Sequence, residues 1–198
     1  FRLNKQDKLY LLGDYIDRGP DSKGVVDFIL ELRKAGNQVH TLRGNHEEML
    51  MRSEDGPNSF DRWFNNGGDN TLDSFGIESI QELAPQYLNF FKRTKYYIQT
   101  KKFTLVHAGL NFRDKNPYKD KMSMLWIRRM EFDPEILGDR LLIHGHTPLA
   151  KDLVIGQDLK SRINLDSGCV FKDREGLGYL TALNITDRQF ISIRNIDT

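Results

Sequence analysis

The sequence predicts a mixed α/β domain organised around four short apolar runs, each of which ends beside a glycine and a polar side chain. In open α/β sheets, ligands bind beyond the carboxyl ends of the strands. We therefore expect the four strand ends to meet at one edge of a sheet and to form a metal site. The segments are residues 9–14, 38–45, 103–107 and 141–146, and the polar residues that they deliver are Asp14, Asn45, His107 and His146.

Strand and helix alternate in the first quarter of the chain. Asp21 can cap a helix that has apolar residues at helical spacing, and Gly36 is expected to end this helix. A strand is predicted over residues 39–42, and the turn at Asn45 is predicted to open a short helix through Leu50. These elements carry two of the four polar residues.

A helical insertion is predicted at about residues 53–94. Residues 53–76 are polar and rich in Gly and Asn, which favours short helices and loops, and residues 77–94 show a helical pattern that restarts at Pro85. The insertion also contains aromatic side chains at helical spacing, which we expect to pack in the core. They are Phe60, Trp63 and Phe64.

The rest of the chain is predicted to be richer in strands. Residues 96–99 and 103–107 form a predicted hairpin, and a helical piece over residues 124–130 precedes the strand at residues 141–146. Further short β runs are predicted at residues 163–165, 179–185 and 190–193.

The composition excludes several classes of partner. Because 29 Lys and Arg residues balance 28 Asp and Glu residues, no general affinity for nucleic acid or anionic membranes is expected. No apolar run approaches the roughly 18–20 residues of a membrane helix. The single cysteine, Cys169, cannot form an internal disulfide, which is typical of a cytoplasmic protein. We also expect a monomer.

The four strand-end residues offer a mixed set of oxygen and nitrogen ligands. Asp14 has two oxygens and can bridge two cations, Asn45 offers a carbonyl oxygen, and both histidines offer imidazole nitrogens. Such a set suits Mn, Fe, Zn or Mg rather than metals that prefer thiolates. Two ions about 3.5–4 Å apart would bind phosphate oxygens and lower the pKa of a shared water to near neutral, which supports in-line attack on phosphorus.

Residues beside these ligands supply the other groups that phosphoester hydrolysis needs. His46 is free to donate a proton to the leaving alkoxide, and Asp17 would orient His46 and hold it charged. Arginines are candidates to hold phosphate oxygens, because the guanidinium fork fits them. The candidates are Arg18, Arg128 and Arg43, although Arg43 is equally suited to bracing its own loop. His144 is expected to be structural.

These motifs resemble the phosphoprotein phosphatase branch of the calcineurin-like metallophosphoesterases, and above all its short bacterial and phage serine/threonine phosphatases. Residues 13–19 (GDYIDRG) are similar to the family's GDxxDRG motif, and residues 43–47 (RGNHE) to its RGNHE motif. Residues 107–109 (HAG) and 145–148 (GHTP) match the later histidine motifs, and residues 125–128 (LWIR) resemble a segment of the phage-type members. The resemblance implies a layered α/β/β/α sandwich with two mixed sheets in one domain over residues 1–198.

The resemblance also implies a ligand set for two divalent ions, with Mn²⁺ the first expectation and Fe, Zn or Mg the alternatives. Asp14 would be shared by both ions. The second ion would also take Asn45, His107 and His146.

In the same way the resemblance implies catalytic roles. His46 would be the general acid and Asp17 its partner. Arg18, Arg128 and Asn45 would contact the phosphate.

Two features depart from the family pattern. The GDxH motif, which gives the first metal an aspartate and a histidine, has no match, and the chain begins with Phe1 rather than Met. We therefore expect that an N-terminal piece with the first strand and the remaining first-metal ligands is missing. Pro148 stands where the broader superfamily often has a second histidine, which agrees with the phosphoprotein phosphatase branch.

The predicted function is metal-dependent hydrolysis of phosphomonoesters by direct attack of a metal-bridging water, without a phosphoenzyme. Phosphoserine or phosphothreonine in proteins is the leading substrate, and a small phosphoester is the other. The first alternative is hydrolysis of dinucleoside polyphosphates, which a sister group of the family performs. The second alternative is a non-catalytic phosphate-binding scaffold.

Overall fold

The computed structural model of the chain describes residues 3–197. The chain divides into two compact units, Phe1–Lys95 and Tyr96–Thr198, and each combines helices with strands. The predicted α/β fold class is confirmed, whereas the assignment of the whole chain to one domain stays a prediction. No helix among the described residues has both the length and the apolar character needed to cross a membrane.

The first unit is built on two parallel strands joined by a helix. Strand β1 (Lys8–Leu11) pairs in parallel with β2 (Gln38–Thr41), and helix α1 (Ser22–Lys34) connects them. The Asp21 carboxylate caps α1 by accepting a hydrogen bond from Gly24 N at 2.8 Å. As predicted, the chain leaves the helix through Gly36, whose φ of 87° is open to glycine at little cost.

The remainder of this unit is helical, as the insertion pattern predicts. Its core contains the fully buried side chains of Trp63 and Phe91. A wide turn at Phe64–Gly68, kinked at Gly67, joins two of its helices. The helices are α2 (Asn45–Arg52), α3 (Pro57–Trp63), α4 (Asp69–Phe75) and α5 (Pro85–Arg93).

The second unit contains a four-stranded mixed sheet. Its first two strands form the predicted antiparallel hairpin, and the last three run parallel in the order β4, β5, β6. The strands are β3 (Tyr97–Gln99), β4 (Phe103–Val106), β5 (Leu141–His144) and β6 (Arg162–Asn164).

The remaining elements of this unit are short. They are helices α6 (Lys121–Trp126), α7 (Pro134–Leu137) and α8 (Lys151–Ile155), and the antiparallel strands β7 (Tyr179–Asn184) and β8 (Gln189–Arg194). Helices α7 and α8 have no counterpart among the predicted elements, because four or five residues are too few to show a helical period.

Two predicted boundaries are wrong. The helix expected at residues 124–130 ends at Trp126, because Ile127 has extended backbone at ψ 129°. The strand expected to reach residue 146 ends at His144, and His146 follows in a left-handed conformation at φ 69°.

The prediction that all four strand ends meet at one edge of a single sheet is also wrong. Among the described residues, β1 and β2 form one sheet and β4 and β5 belong to another, with β7 and β8 in a third. Apolar runs identify strands but do not fix which strands pair, since pairing depends on contacts distant in sequence. Each of the first two sheets therefore delivers two of the predicted residues.

Candidate active site

The ends of β1 and β2 interlock through two glycines. Gly13 has φ 104°, and a Cβ placed on it would lie 2.5 Å from Gly44 N. A Cβ on Gly44 would overlap Asp14 Oδ1. Only glycine at both positions allows the two turns to approach so closely, which brings Asp14 beside the start of α2.

Glu47 fixes this junction from the inside. Its Oε2 accepts hydrogen bonds from Asp14 N at 2.9 Å and Gly44 N at 2.7 Å, and its Oε1 accepts one from Tyr15 N at 2.7 Å. The side chain is fully buried. Burial, together with the charge of Asp14, raises the pKa of Glu47 to about 7, although the three backbone donors act in the opposite direction. Sequence reasoning assigned Glu47 no role of its own.

Two predicted metal ligands lie at this junction. Asp14 is exposed, and its Oδ1 accepts a hydrogen bond from His46 N at 3.3 Å. Asn45 is the first residue of α2 and is buried. The first unit thus presents carboxylate and amide oxygens at neighbouring strand ends.

Asp17 and His46 form a buried pair. Asp17 Oδ2 lies 2.6 Å from His46 Nδ1, with Asp17 7% and His46 3% exposed. Burial by itself would lower the pKa of His46, but the hydrogen bond with Asp17 and the charge of Asp14 outweigh it and raise that pKa above its ordinary value. The predicted partnership of these two side chains is present as a contact.

The other oxygen of Asp17 is held by the helical insertion. Asp17 Oδ1 accepts hydrogen bonds from Thr71 Oγ1 at 2.6 Å and Trp63 Nε1 at 3.1 Å. The backbone N–H of Asp17 donates to Thr71 Oγ1 at 2.9 Å and to Ser22 Oγ at 3.1 Å. Trp63 packs in the core as expected, but its indole N–H also serves the site. The helical spacing of Trp63 gave no signal of this contact.

Positive φ angles cluster at the predicted positions. Among residues 3–197 the non-glycine residues with positive φ are Asp14 (58°), Asp17 (70°), Arg18 (61°), His146 (69°) and Arg188 (57°). A left-handed conformation costs a non-glycine residue about 1–3 kcal/mol, and such residues concentrate at functional sites. Four of these five residues are candidate site residues, so the backbone geometry supports the same assignment as the motifs.

The second unit brings two predicted histidines together. His107 follows β4 and His146 follows β5, and Gly145 N donates to His107 O at 2.7 Å across the two strand ends. His107 Nε2 lies 3.2 Å from His146 Nδ1. Two nitrogens that share one ion at about 2.0–2.1 Å each lie about 3 Å apart, so this spacing fits a shared divalent metal.

The remaining predicted residues have different environments. Arg18 and Arg128 are exposed, and Arg128 lies in a bend after α6 rather than within a helix. His144 is buried, which lowers its pKa to about 4, and its Nε2 has no hydrogen-bond partner within the described part of the chain. Arg43 donates to Glu48 Oε2, Thr94 Oγ1 and Phe91 O at 2.9–3.0 Å.

Candidate oxygen and nitrogen ligands, together with a buried acid–base pair, are the groups expected of a metal-dependent phosphoester hydrolase. The sequence model of the calcineurin-like phosphoesterases matches residues 2–177, and the chain belongs to that family. Membership of the calcineurin-like metallophosphoesterases, which depend on divalent metal, is thereby confirmed, whereas the phosphoprotein phosphatase branch is not.

Individual relatives within this family are named for a more specific activity. The chain is 25% identical to the asymmetrical bis(5'-nucleosyl)-tetraphosphatase PrpE of Oceanobacillus iheyensis, over 94% of this chain and 77% of the relative. It is 26% identical to the PrpE of Anoxybacillus flavithermus, over 94% and 78% of the two chains. These names correspond to the first alternative and not to the serine/threonine phosphatases that the motifs resemble.

Solved structures agree on the fold. A crystal structure provisionally assigned as a diadenosine tetraphosphatase has a TM-score of 0.56 at 19% identity and matches 97% of this chain and 82% of its own. The metallophosphoesterase from Sphaerobacter thermophilus has a TM-score of 0.53 at 18% identity and matches 97% and 79%.

Proposed function

We propose that the chain hydrolyses dinucleoside polyphosphates asymmetrically, that is, into unequal nucleotide products. The observation that carries a hydrolytic role is the buried contact between Asp17 and His46 beside the exposed carboxylate of Asp14. The choice of substrate is supported by the relatives, which are named for this activity.

The proposed metal ligands are Asp14, Asn45, His107 and His146. Asp14 would be shared by two ions, and Asn45, His107 and His146 would complete the coordination of the second, with Mn²⁺ preferred over Fe, Zn or Mg. Divalent ions supply a water of lowered pKa as the nucleophile, and they neutralise charge on the phosphate. The fit is supported by the spacing of the two imidazole nitrogens and by the oxygen-rich end of β1 and β2.

The side chains of the chain itself handle the proton and the phosphate. The attacking water has given one of its protons to solvent before attack. As its oxygen bonds to phosphorus, the bond to the leaving oxygen breaks, and the leaving oxygen takes the Nε2 proton of His46. Asp17 accepts the Nδ1–H of His46, which leaves Nε2 as the donor. Asn45, Arg18 and Arg128 would contact the phosphate, the two arginines through paired N–H donors.

A second candidate is a serine/threonine protein phosphatase, and the buried acid pair favours it. An alkoxide leaving group needs a proton during bond breaking, whereas a polyphosphate leaves as an already stable anion, since a phosphate ester's second pKa is only about 6. The well-held donor at His46 is therefore of greatest use to a phosphoserine or phosphothreonine substrate. The segments at residues 17–19 and 125–128 also resemble those enzymes.

A direct comparison of substrates tests the two proposals. Diadenosine tetraphosphate and a phosphoserine peptide are each incubated with the protein and Mn²⁺, and nucleotides and phosphate are quantified by chromatography. We expect kcat/KM for diadenosine tetraphosphate to be higher by about tenfold or more, with products of unequal phosphate number. The reverse ratio would establish the second candidate instead. Failure with both substrates under Mn, Fe, Zn and Mg would favour the scaffold.

A further inference from the structure

The two carboxylate oxygens of Asp17 have different partners. Oδ1 is occupied by Thr71 Oγ1 and Trp63 Nε1, and Oδ2 contacts His46 Nδ1. Both groups on Oδ1 come from the helical insertion, and all three partner side chains are buried. With Oδ1 held by two donors, the carboxylate cannot rotate without losing hydrogen bonds, so Oδ2 remains directed at His46.

Thr71 holds the backbone of Asp17 as well as its side chain. Its Oγ1 donates to Asp17 Oδ1 and accepts from Asp17 N. Asp17 has φ 70°, a strained conformation that persists only where surrounding contacts fix it. One hydroxyl group therefore holds both the backbone and the carboxylate of Asp17, with Ser22 Oγ and Trp63 Nε1 as further partners.

The close approach of the insertion depends on two glycines. A Cβ on Gly68 would lie 2.6 Å from the Trp63 ring, and a Cβ on Gly67 would lie 2.7 Å from Arg18 N. Gly67 O also accepts a hydrogen bond from Arg18 N at 3.3 Å. The insertion thus lies directly against the backbone of the Asp17–Arg18 turn.

We propose that Trp63 and Thr71 are positioning residues for proton donation by His46, acting through Asp17. This inference rests on the proposed role of His46 as proton donor, but it does not depend on which phosphoester is the natural substrate. If the carboxylate is free to turn, His46 spends less time with Nε2–H directed at the leaving oxygen. The loss should matter only where the leaving group needs that proton.

The test compares two aryl phosphates that undergo the same hydrolysis but differ in their leaving groups. Phenyl phosphate and p-nitrophenyl phosphate differ in leaving-group basicity, because nitrophenolate is the more stable anion. For Trp63→Phe and Thr71→Val we expect kcat to fall about tenfold with phenyl phosphate and by less than about threefold with p-nitrophenyl phosphate. Thr71→Ser, which keeps the hydroxyl group, should restore phenyl phosphate hydrolysis to near the unchanged chain.

Phe75→Leu is the matched control. Phe75 lies in the same insertion and packs edge-on against Tyr87 at 4.9 Å, so this variant should change neither rate. Melting temperature and metal content are measured for every variant. If Trp63→Phe does not fold, the comparison of Thr71→Val with Thr71→Ser decides the question on its own.

Double variants that also carry His46→Ala distinguish a positioning role from a nonspecific disturbance of the site. In that background Trp63→Phe should have no further effect on phenyl phosphate, because the donor that it positions is gone. The inference would be overturned if kcat fell equally with both substrates. It would also be overturned if Trp63→Phe lowered kcat for phenyl phosphate by the same factor with and without His46→Ala. If His46→Ala itself lowers both rates equally, the proton-donor assignment fails, and that outcome is distinct from a failure of the positioning role.

Discussion

The carboxylate of Glu47 accepts a hydrogen bond from the backbone N–H of Asp14, although the two residues are 33 positions apart. The same carboxylate also accepts hydrogen bonds from Tyr15 N and Gly44 N, so it joins the ends of β1 and β2. The exposed carboxylate of Asp14 is consequently supported by a fully buried one. A proposed metal ligand is therefore held in place by a residue that is not itself a proposed ligand.

Replacing Glu47 should separate the loss of one hydrogen bond from the loss of three. In Glu47→Gln the amide oxygen can take the position of Oε2 and keep the hydrogen bonds from Asp14 N and Gly44 N. The amide NH₂ then faces Tyr15 N, and two donors cannot form a hydrogen bond. We expect the free energy of unfolding to fall by about 1–3 kcal/mol, because one buried N–H loses its partner. Glu47→Ala removes the partner of all three N–H donors, two of them buried and one partly buried, and should cost at least twice as much. Urea denaturation measures both.

The control for Glu47 is Glu31→Gln on the exposed part of α1, which should change stability by less than about 0.5 kcal/mol. Both Glu47 variants should also bind metal more weakly than the unchanged chain. Equal stabilities for Glu47→Gln and Glu47→Ala would contradict the assigned hydrogen bonds.

His46→Ala should lower hydrolysis of phosphoserine or phenyl phosphate by about 10²–10⁴-fold, the usual contribution of a general acid. Metal content should stay near that of the unchanged chain, since His46 is not a proposed ligand. Steady-state kinetics and elemental analysis of the same preparation provide both values. Retained activity on a substrate with a poor leaving group would refute the proton-donor role.

Arg43 is expected to act in stability and not in phosphate binding. Its guanidinium donates to Glu48, Thr94 and the carbonyl oxygen of Phe91, and the Arg43 side chain is only 12% exposed. Arg43→Ala should lower the free energy of unfolding by about 3 kcal/mol, because the largely buried carboxylate of Glu48 loses one of its positively charged partners. Arg43→Lys should recover little, since an ammonium group cannot reproduce the planar fork.

KM for p-nitrophenyl phosphate should be unchanged in both Arg43 variants at temperatures where they are folded. A raised KM without loss of stability would show that Arg43 holds phosphate instead.

Chelation should remove activity, and added Mn²⁺ should restore it. A metal that binds only the folded chain also raises its stability by mass action, so the chelated protein should melt at a lower temperature. His146→Ala should bind at least one ion fewer per chain by elemental analysis, because its Nδ1 is paired with His107 Nε2 at a metal-sharing distance. His40→Ala, at a histidine stacked on Tyr10 in the first sheet, is the matched control and should bind as many ions as the unchanged chain. The same metal content in His146→Ala as in the control would contradict the assignment.

Local signals in the sequence predicted most of the fold correctly. The Asp21 cap, Gly36 and the apolar spacing between them determine α1, because capping and periodicity act within a few residues. The helix expected up to residue 130 ended at Trp126, since backbone conformation there is decided by packing. The segment after Trp126 is closely packed: a Cβ on Gly109 would lie 2.8 Å from Ile127 Cγ2.

By itself the sequence determined membership of the calcineurin-like family and predicted the candidate site residues, because the order and spacing of Asp14, Asn45, His46, His107 and His146 are local motifs. Only the tertiary structure decided how these residues are supported. Trp63 and Thr71 contact Asp17 from 46 and 54 positions away in the sequence. Glu47 contacts Asp14 from 33 positions away. Such contacts leave no periodicity in the chain, since they depend on glycine-permitted backbone approaches and on buried hydrogen bonds that exist only after folding.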